Sequence, residues 1–170
     1  MIIHDFQQDR DFLIGKMHSS LFRCEMDVIL HGQEASLRQY AEQCAAFFNF
    51  LPPALVYELK EASIRYCEDI RKFTPTDECL VPKDVSHKTI FRYVRPNSMI
   101  VDSPKDSEKL AFQVEFGCDW EPEHGMEWTI NDGRALYVGD FMGISPWYAP
   151  RVYETECRSY VYDDFTIGDS

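Results

Sequence analysis

Asp132–Gly133 lies between two runs of alternating apolar residues, and this pair constrains the fold most. Asp-Gly favours the two-residue turn in which both residues take positive φ and the chain doubles back as a hairpin. Before it, "KLAFQVEFGCDW" puts Leu110, Phe112, Val114 and Phe116 on one face and Ala111, Gln113, Glu115 and Gly117 on the other. With "MEWTI" and "ALYVGDF" added, residues 110–140 read as a three-stranded meander. "LFRCEMDVIL" (Leu21–Leu30) also has period two, with Phe22, Cys24, Met26, Val28 and Leu30 on its apolar face. It is expected to be a strand that can add to the meander. "KTIFRYVRP" and "NSMIVDSP" read as two further strand pieces around a turn at Pro96–Asn97.

Between these strands the period changes to that of a helix. Leu37, Tyr40, Ala41, Cys44, Phe47, Phe48 and Leu51 follow i, i+3, i+4 spacing, as do Leu55, Leu59, Ala62, Tyr66, Ile70 and Phe73. "LPP" divides the two stretches, because proline disfavours helical geometry in the residue before it and lacks a backbone donor. The reading is an antiparallel helical hairpin. Runs of strands beside a run of helices imply an α+β fold. Here it is an antiparallel sheet of about five to six strands packed against an α-helical hairpin. One domain spans 1–170, with strand plus helical hairpin at 18–73 and a β-meander half at 88–162, joined by a loop at 74–87. Residues 1–18 show no clear period and read as an arm or short extended segment, and 161–170 as an acidic, fraying tail.

The 170 residues carry 17 Lys and Arg against 29 Asp and Glu, a net charge of −12. This argues against nucleic acid, whose binding needs cations to neutralise phosphates, and against anionic membranes. It favours a basic protein partner, whose approach an acidic surface accelerates. Residues 104–170 alone hold 5 basic and 14 acidic residues, so the expected docking surface lies in the C-terminal third. The N-terminal stretch lacks the features of a secretory signal, and no apolar run is long enough to span a bilayer. The six cysteines, at 24, 44, 67, 79, 118 and 157, form no CxxC and no zinc-ribbon spacing, which favours free thiols in a cytoplasmic protein.

"GCDWEPEHGMEW" (Gly117–Trp128) concentrates the polar chemistry. His124 with Glu123 or Glu127 could serve a metal-dependent or small hydrolytic enzyme. Neither HExxH nor a calcium-loop pattern is present, and no GxSxG, GxxxxGK[ST] or GxGxxG occurs. No catalytic set, metal or cofactor is therefore assigned. The simpler reading is a strand-to-strand turn, in which Pro122 fixes the bend and Gly125 supplies positive φ before a strand starting at Met126. Its carboxylates would be exposed, and its tryptophans would be core or interface anchors. "GDFMGISPWYAPRVYE" (Gly139–Glu154) adds an aromatic Gly/Pro-rich loop that either packs under the sheet or binds a partner. The candidate partner-binding residues are Asp119, Trp120, Glu121, Glu123, His124, Glu127, Trp128, Asp140 and Trp147.

Phe116–Phe141 also resembles a recurring C-x-W-x-x-E-H-G segment, followed by strand, N/D-G, strand and V-G, in small bacterial cytoplasmic proteins of unknown function. Cys118, Trp120, Glu123, His124, Gly125 and Gly139 carry the likeness. Some of those proteins look like immunity proteins encoded beside polymorphic toxins. The resemblance implies a non-enzymatic protein that neutralises a toxin. The expected function is thus an immunity-type antitoxin that holds a basic effector through an acidic, aromatic-bearing surface. The alternatives are the small hydrolase around His124 and a scaffold whose aromatic loop mediates self-association. Oligomeric state is left open by the sequence.

Overall fold

The computed structural model describes residues 1–74 and 81–162. Seven strands form one sheet in chain order: β1 (His4–Asp9), β2 (Phe12–Ser19), β3 (Cys24–Leu30), β4 (Val94–Val101), β5 (Ala111–Cys118), β6 (Glu121–Asn131) and β7 (Arg134–Gly139). Every neighbouring pair is antiparallel except β3 and β4, which are parallel. A parallel pair needs a crossover. Helices α1 (Ala35–Asn49) and α2 (Pro53–Phe73) supply it. The fold is α+β as expected, but the sheet is mixed and larger than the five or six antiparallel strands read from sequence.

Alternation in the ladder sorts the side chains onto two faces. Val28, Met99, Val114 and Trp128 are register neighbours in successive strands and point to the helices. α1 lies over this face, with Phe48 edge-on to Phe112, and the Tyr40 hydroxyl donates to Lys109 O at 2.8 Å. α2 lies along β7 and over β6, where Trp128 Nε1 donates to Ser63 Oγ at 3.0 Å. Both helices bury the stripes that the sequence marks, although Phe73 at the end of α2 is exposed. Each helix takes its principal contacts from strands, so the layer is two helices on a sheet.

Three segments depart from the sequence reading. Residues 1–18 form β1 and β2. In β2 only Leu13, Gly15, Met17 and Ser19 are buried, and β1 is an exposed edge with no apolar face, so neither gives a strong period-two signal. The turn expected at Pro96–Asn97 is absent: β4 runs straight through it. A bulge between Pro96 and Ser98 accommodates the missing N–H of proline. A 3₁₀ turn (Ile90–Tyr93) precedes that strand where a strand was expected. Consequently β3 borders β4, not the meander itself. The meander β5–β6–β7 is present as read, and Asp132 (φ 52°) and Gly133 (φ 71°) make its two-residue turn. Cys79 and most of the acidic tail (163–170) lie outside the described residues, as do residues 75–80 of the loop.

The second sheet face is half covered. After β7 the chain crosses back as a strap (140–148) and enters a short helix, α3 (Pro150–Thr155). Tyr137, Ile144, Leu136 and Tyr153 form a small second core beneath it. Tyr160 then donates its backbone N–H to Val138 O at 2.9 Å, satisfying part of the outer edge of β7.

Candidate functional site

The β5–β6 hairpin turns at Asp119–Trp120, earlier than the sequence suggests, so β6 begins at Glu121 rather than Met126. Between the Cys118↔Glu121 and Phe116↔Met126 pairs, β6 carries extra residues and bulges outward. Gly125 makes this possible: its φ is +69°, and a Cβ there would stand 2.2 Å from Phe116 O. Pro122, Glu123 and His124 consequently project into solvent. Glu121 Oε1 accepts the backbone N–H groups of Glu123 (3.2 Å) and His124 (3.3 Å), which gives the projection a fixed shape.

His124 Nδ1 lies 3.5 Å from Glu121 Oε1, with 60% of the side chain accessible. That is the setting of a solvated surface histidine. Asp119 is bound to Arg95 at 2.7 Å. Of the carboxylates on this end, Asp119 is therefore paired and Glu121 is engaged by two backbone N–H groups beside His124, while Glu123 is open to solvent.

The tryptophans of the motif, open between core and interface in the sequence and named there as candidate partner-binding residues, are interior. Trp128 is fully buried among Phe22, Phe91 and Phe116, 4.6–6.0 Å between ring centroids. Trp120 is buried edge-on to Tyr66 at 5.9 Å, and its Nε1 meets no hydrogen-bond acceptor among the described residues. Large rings beside a hairpin cover apolar surface that water would otherwise reach. Tyr66 donates its hydroxyl to Gly125 O at 3.1 Å, joining α2 to the bulge.

Glu127 is likewise not a surface acid. It is fully buried on the second sheet face. One oxygen accepts the N–H groups of Met142 (2.9 Å) and Gly143 (2.8 Å). The other accepts from Ile144 N (2.9 Å), Thr129 Oγ1 (2.9 Å) and Gln113 Nε2 (3.1 Å). A buried carboxyl must find donors or it costs several kcal/mol, and five donors meet this one. Burial raises its pKa above the ordinary 4.5, and the donors hold back that rise. Gln113 also donates to Ile144 O, so both residues fasten the strap to the sheet. Asp140, at the start of the strap, accepts from the Tyr137 hydroxyl at 3.0 Å.

Trp147 belongs to the other end of the strands. Asn131, at the end of β6 opposite the turn, bonds Pro146 O beside it, and the paired length of β5 puts that end roughly 23 Å from the Asp119 turn at about 3.3 Å per residue. There Trp147 and Tyr148 line a cleft of about 340 Å³ with Lys105, Lys109 and Arg134. The nine candidate residues thus divide in three: an exposed acidic turn (Asp119, Glu121, Glu123, His124) with Asp140 near its base, an interior set (Trp120, Glu127, Trp128), and Trp147 in a cation-lined cleft. Arg95, Gln113 and the lysines of the cleft escape the sequence reading. Of these only Gln113 leaves a trace, as a polar residue inside an apolar alternation.

The comparison with known families bears on this architecture. Residues 2–145 match DUF6985, a domain of unknown function. The chain belongs to the DUF6985 family. The matched span takes in the whole seven-stranded DUF6985 sheet, both helices of the crossover and the strap as far as the backbone donors to Glu127. It ends at Ser145, before Trp147 and Tyr148. No curated protein and no solved structure matches the chain. Among the described residues, no cluster of three or more His, Cys, Asp or Glu side chains is placed to hold a metal ion. No helix of this DUF6985 protein, among the described residues, is long and apolar enough to cross a membrane.

Proposed function

We propose that this protein is a non-enzymatic binding protein of immunity type, which neutralises a basic effector by docking it on the acidic turn of the β5–β6 hairpin. The supporting observation is the rigid projection at residues 121–124, with Glu121 and Glu123 presented around His124 by backbone hydrogen bonds to Glu121. Carboxylates carried on a backbone that the fold holds in place bind Lys and Arg with a reduced ordering cost, and they raise the rate of encounter. Asp119 contributes through its exposed pair with Arg95, for which a cation of the partner can compete. Anchoring by Trp120 and Trp128 is not part of this reading, because both are interior.

The test is calorimetric binding to the product of the neighbouring gene, as wild type and as the Glu121→Lys/Glu123→Lys double variant. Affinity is expected to fall with added salt, because ~0.15 M salt screens exposed charges beyond about 8 Å. Charge reversal is expected to abolish it. Binding that survives both treatments overturns the electrostatic docking.

A further inference from the structure

In a chain of net charge −12, the cleft at the Trp147 end has the opposite character. Residues 104–170 contain only five cations, and three of them, Lys105, Lys109 and Arg134, line this one cleft. Against them stand Asp106 and Asp132, which leaves one positive charge in excess. Asp106 is spoken for by Lys109, at 3.7 Å. Among the described residues neither Lys105 nor Arg134 makes an ion pair within 4 Å, although Glu58 on α2 lies close enough to Arg134 to feel its charge. Grouped cations repel one another, so Lys105 and Arg134, neither bound closely to a carboxylate, are stabilised by an anion.

The cleft is also held in shape. Asn131 Nδ2 donates to Pro146 O at 2.8 Å, tying the strap to the β6–β7 hairpin. Lys109 O accepts from the Tyr40 hydroxyl, which fixes the loop that carries the lysines. Tyr148 N donates to the Tyr153 hydroxyl at 3.1 Å. Trp147 and Tyr148 thereby form an aromatic wall on a scaffold that Glu127 anchors from below. The Nε1 donor of Trp147 is buried without an acceptor in that wall. A volume of about 340 Å³ falls at the lower end of the range for small-ligand sites.

We infer that this cleft binds a small anionic ligand built on a planar ring, with a phosphate or carboxylate held by Arg134 and Lys105 and the ring laid against Trp147 and Tyr148. A guanidinium grips such an oxyanion with two parallel hydrogen bonds, and a flat apolar group is what an aromatic wall recognises. This site is independent of the acidic turn at the far end of the strands, so either proposal can fail alone.

The test is titration of the full chain with adenosine monophosphate, with phenyl phosphate, and with adenosine as the uncharged control, followed by tryptophan fluorescence and calorimetry. Saturable binding of at least one phosphate is expected, with adenosine weaker by tenfold or more, the order expected from losing a charged hydrogen bond. Arg134→Gln and Lys105→Gln, both on exposed positions, should each weaken the phosphate ligands. Tyr148→Ala should weaken both ring-bearing phosphates. Arg151→Gln, outside the cleft, should bind as wild type. Absence of saturation with both phosphates, or equal affinity of wild type, Arg134→Gln and Lys105→Gln, overturns the inference.

Discussion

Gly143 donates its backbone N–H to the carboxylate of Glu127 at 2.8 Å, across 16 residues of chain, and with its neighbours at 142 and 144 it fastens the strap to the sheet. Glu127→Ala should leave three backbone donors and two side-chain donors without their acceptor, at about 1–3 kcal/mol for each that water fails to reach. A loss of at least about 3 kcal/mol in urea denaturation is expected, with faster amide exchange at 142–144. Full protection at those amides in the variant would contradict the anchoring role.

The same carboxyl sets a pH dependence. Burial, its leading influence, raises its pKa above 4.5. For a raised pKa, the contribution to stability is complete below the unfolded value and is lost as pH rises through the folded one. Glu127→Gln cannot titrate at this position. The stability gap between wild type and Glu127→Gln should therefore be widest near pH 4 and narrow as pH rises, read as the difference between two denaturation series so that other groups cancel.

Gly125 and Gly117 face each other in the β5–β6 hairpin region yet should respond differently. Gly125→Ala places Cβ 2.2 Å from Phe116 O at a φ of +69°. It should cost about 1–3 kcal/mol. Gly117→Ala meets nothing nearer than 3.9 Å and should lie within about 0.5 kcal/mol of wild type. Thermal melting of the two variants side by side provides the measurement.

The tryptophan and glutamate of one motif should separate in the same way. Trp128→Ala removes a fully buried ring and its bond to Ser63, and should cost about 3–5 kcal/mol. Glu123→Ala alters an exposed side chain and should leave the melting temperature unchanged. A Trp128→Ala variant as stable as wild type would refute the interior placement.

Thiol reactivity gives a further check. Burial pushes the thiols of Cys44 and Cys118 up to about 12, so neither supplies thiolate at neutral pH. Cys24 and Cys157 are only partly buried. In a Cys79→Ser background, a disulfide reagent should modify Cys24 and Cys157 first, and Cys44 and Cys118 only on unfolding.

Much of this protein can be read from residue order because its strongest signals are local. Asp132–Gly133 fixes a hairpin through its own backbone preferences, and the spacings from Leu37 and from Leu55 define helix faces whichever strands they meet. β1 and β2 are less legible: an edge strand has no buried face to impress a period, and Gly15 interrupts the other. Pro96 suggests a turn because proline lacks a ladder donor, and only the bulge in β4 shows how the strand absorbs it.

Residue order by itself determined the two long helices, β3 and the strands of the meander, the excess of acid, and the turn that closes the meander, since each depends on neighbours in the chain. Tertiary structure decided which polar groups are surface. Glu123 and Glu127 are four residues apart in one acidic motif, yet one meets water and the other meets five donors, four of them from two distant segments. The gathering of Lys105, Lys109 and Arg134 against Trp147 was decided there too. Burial and convergence depend on what the rest of the fold brings alongside, and local sequence does not carry that information.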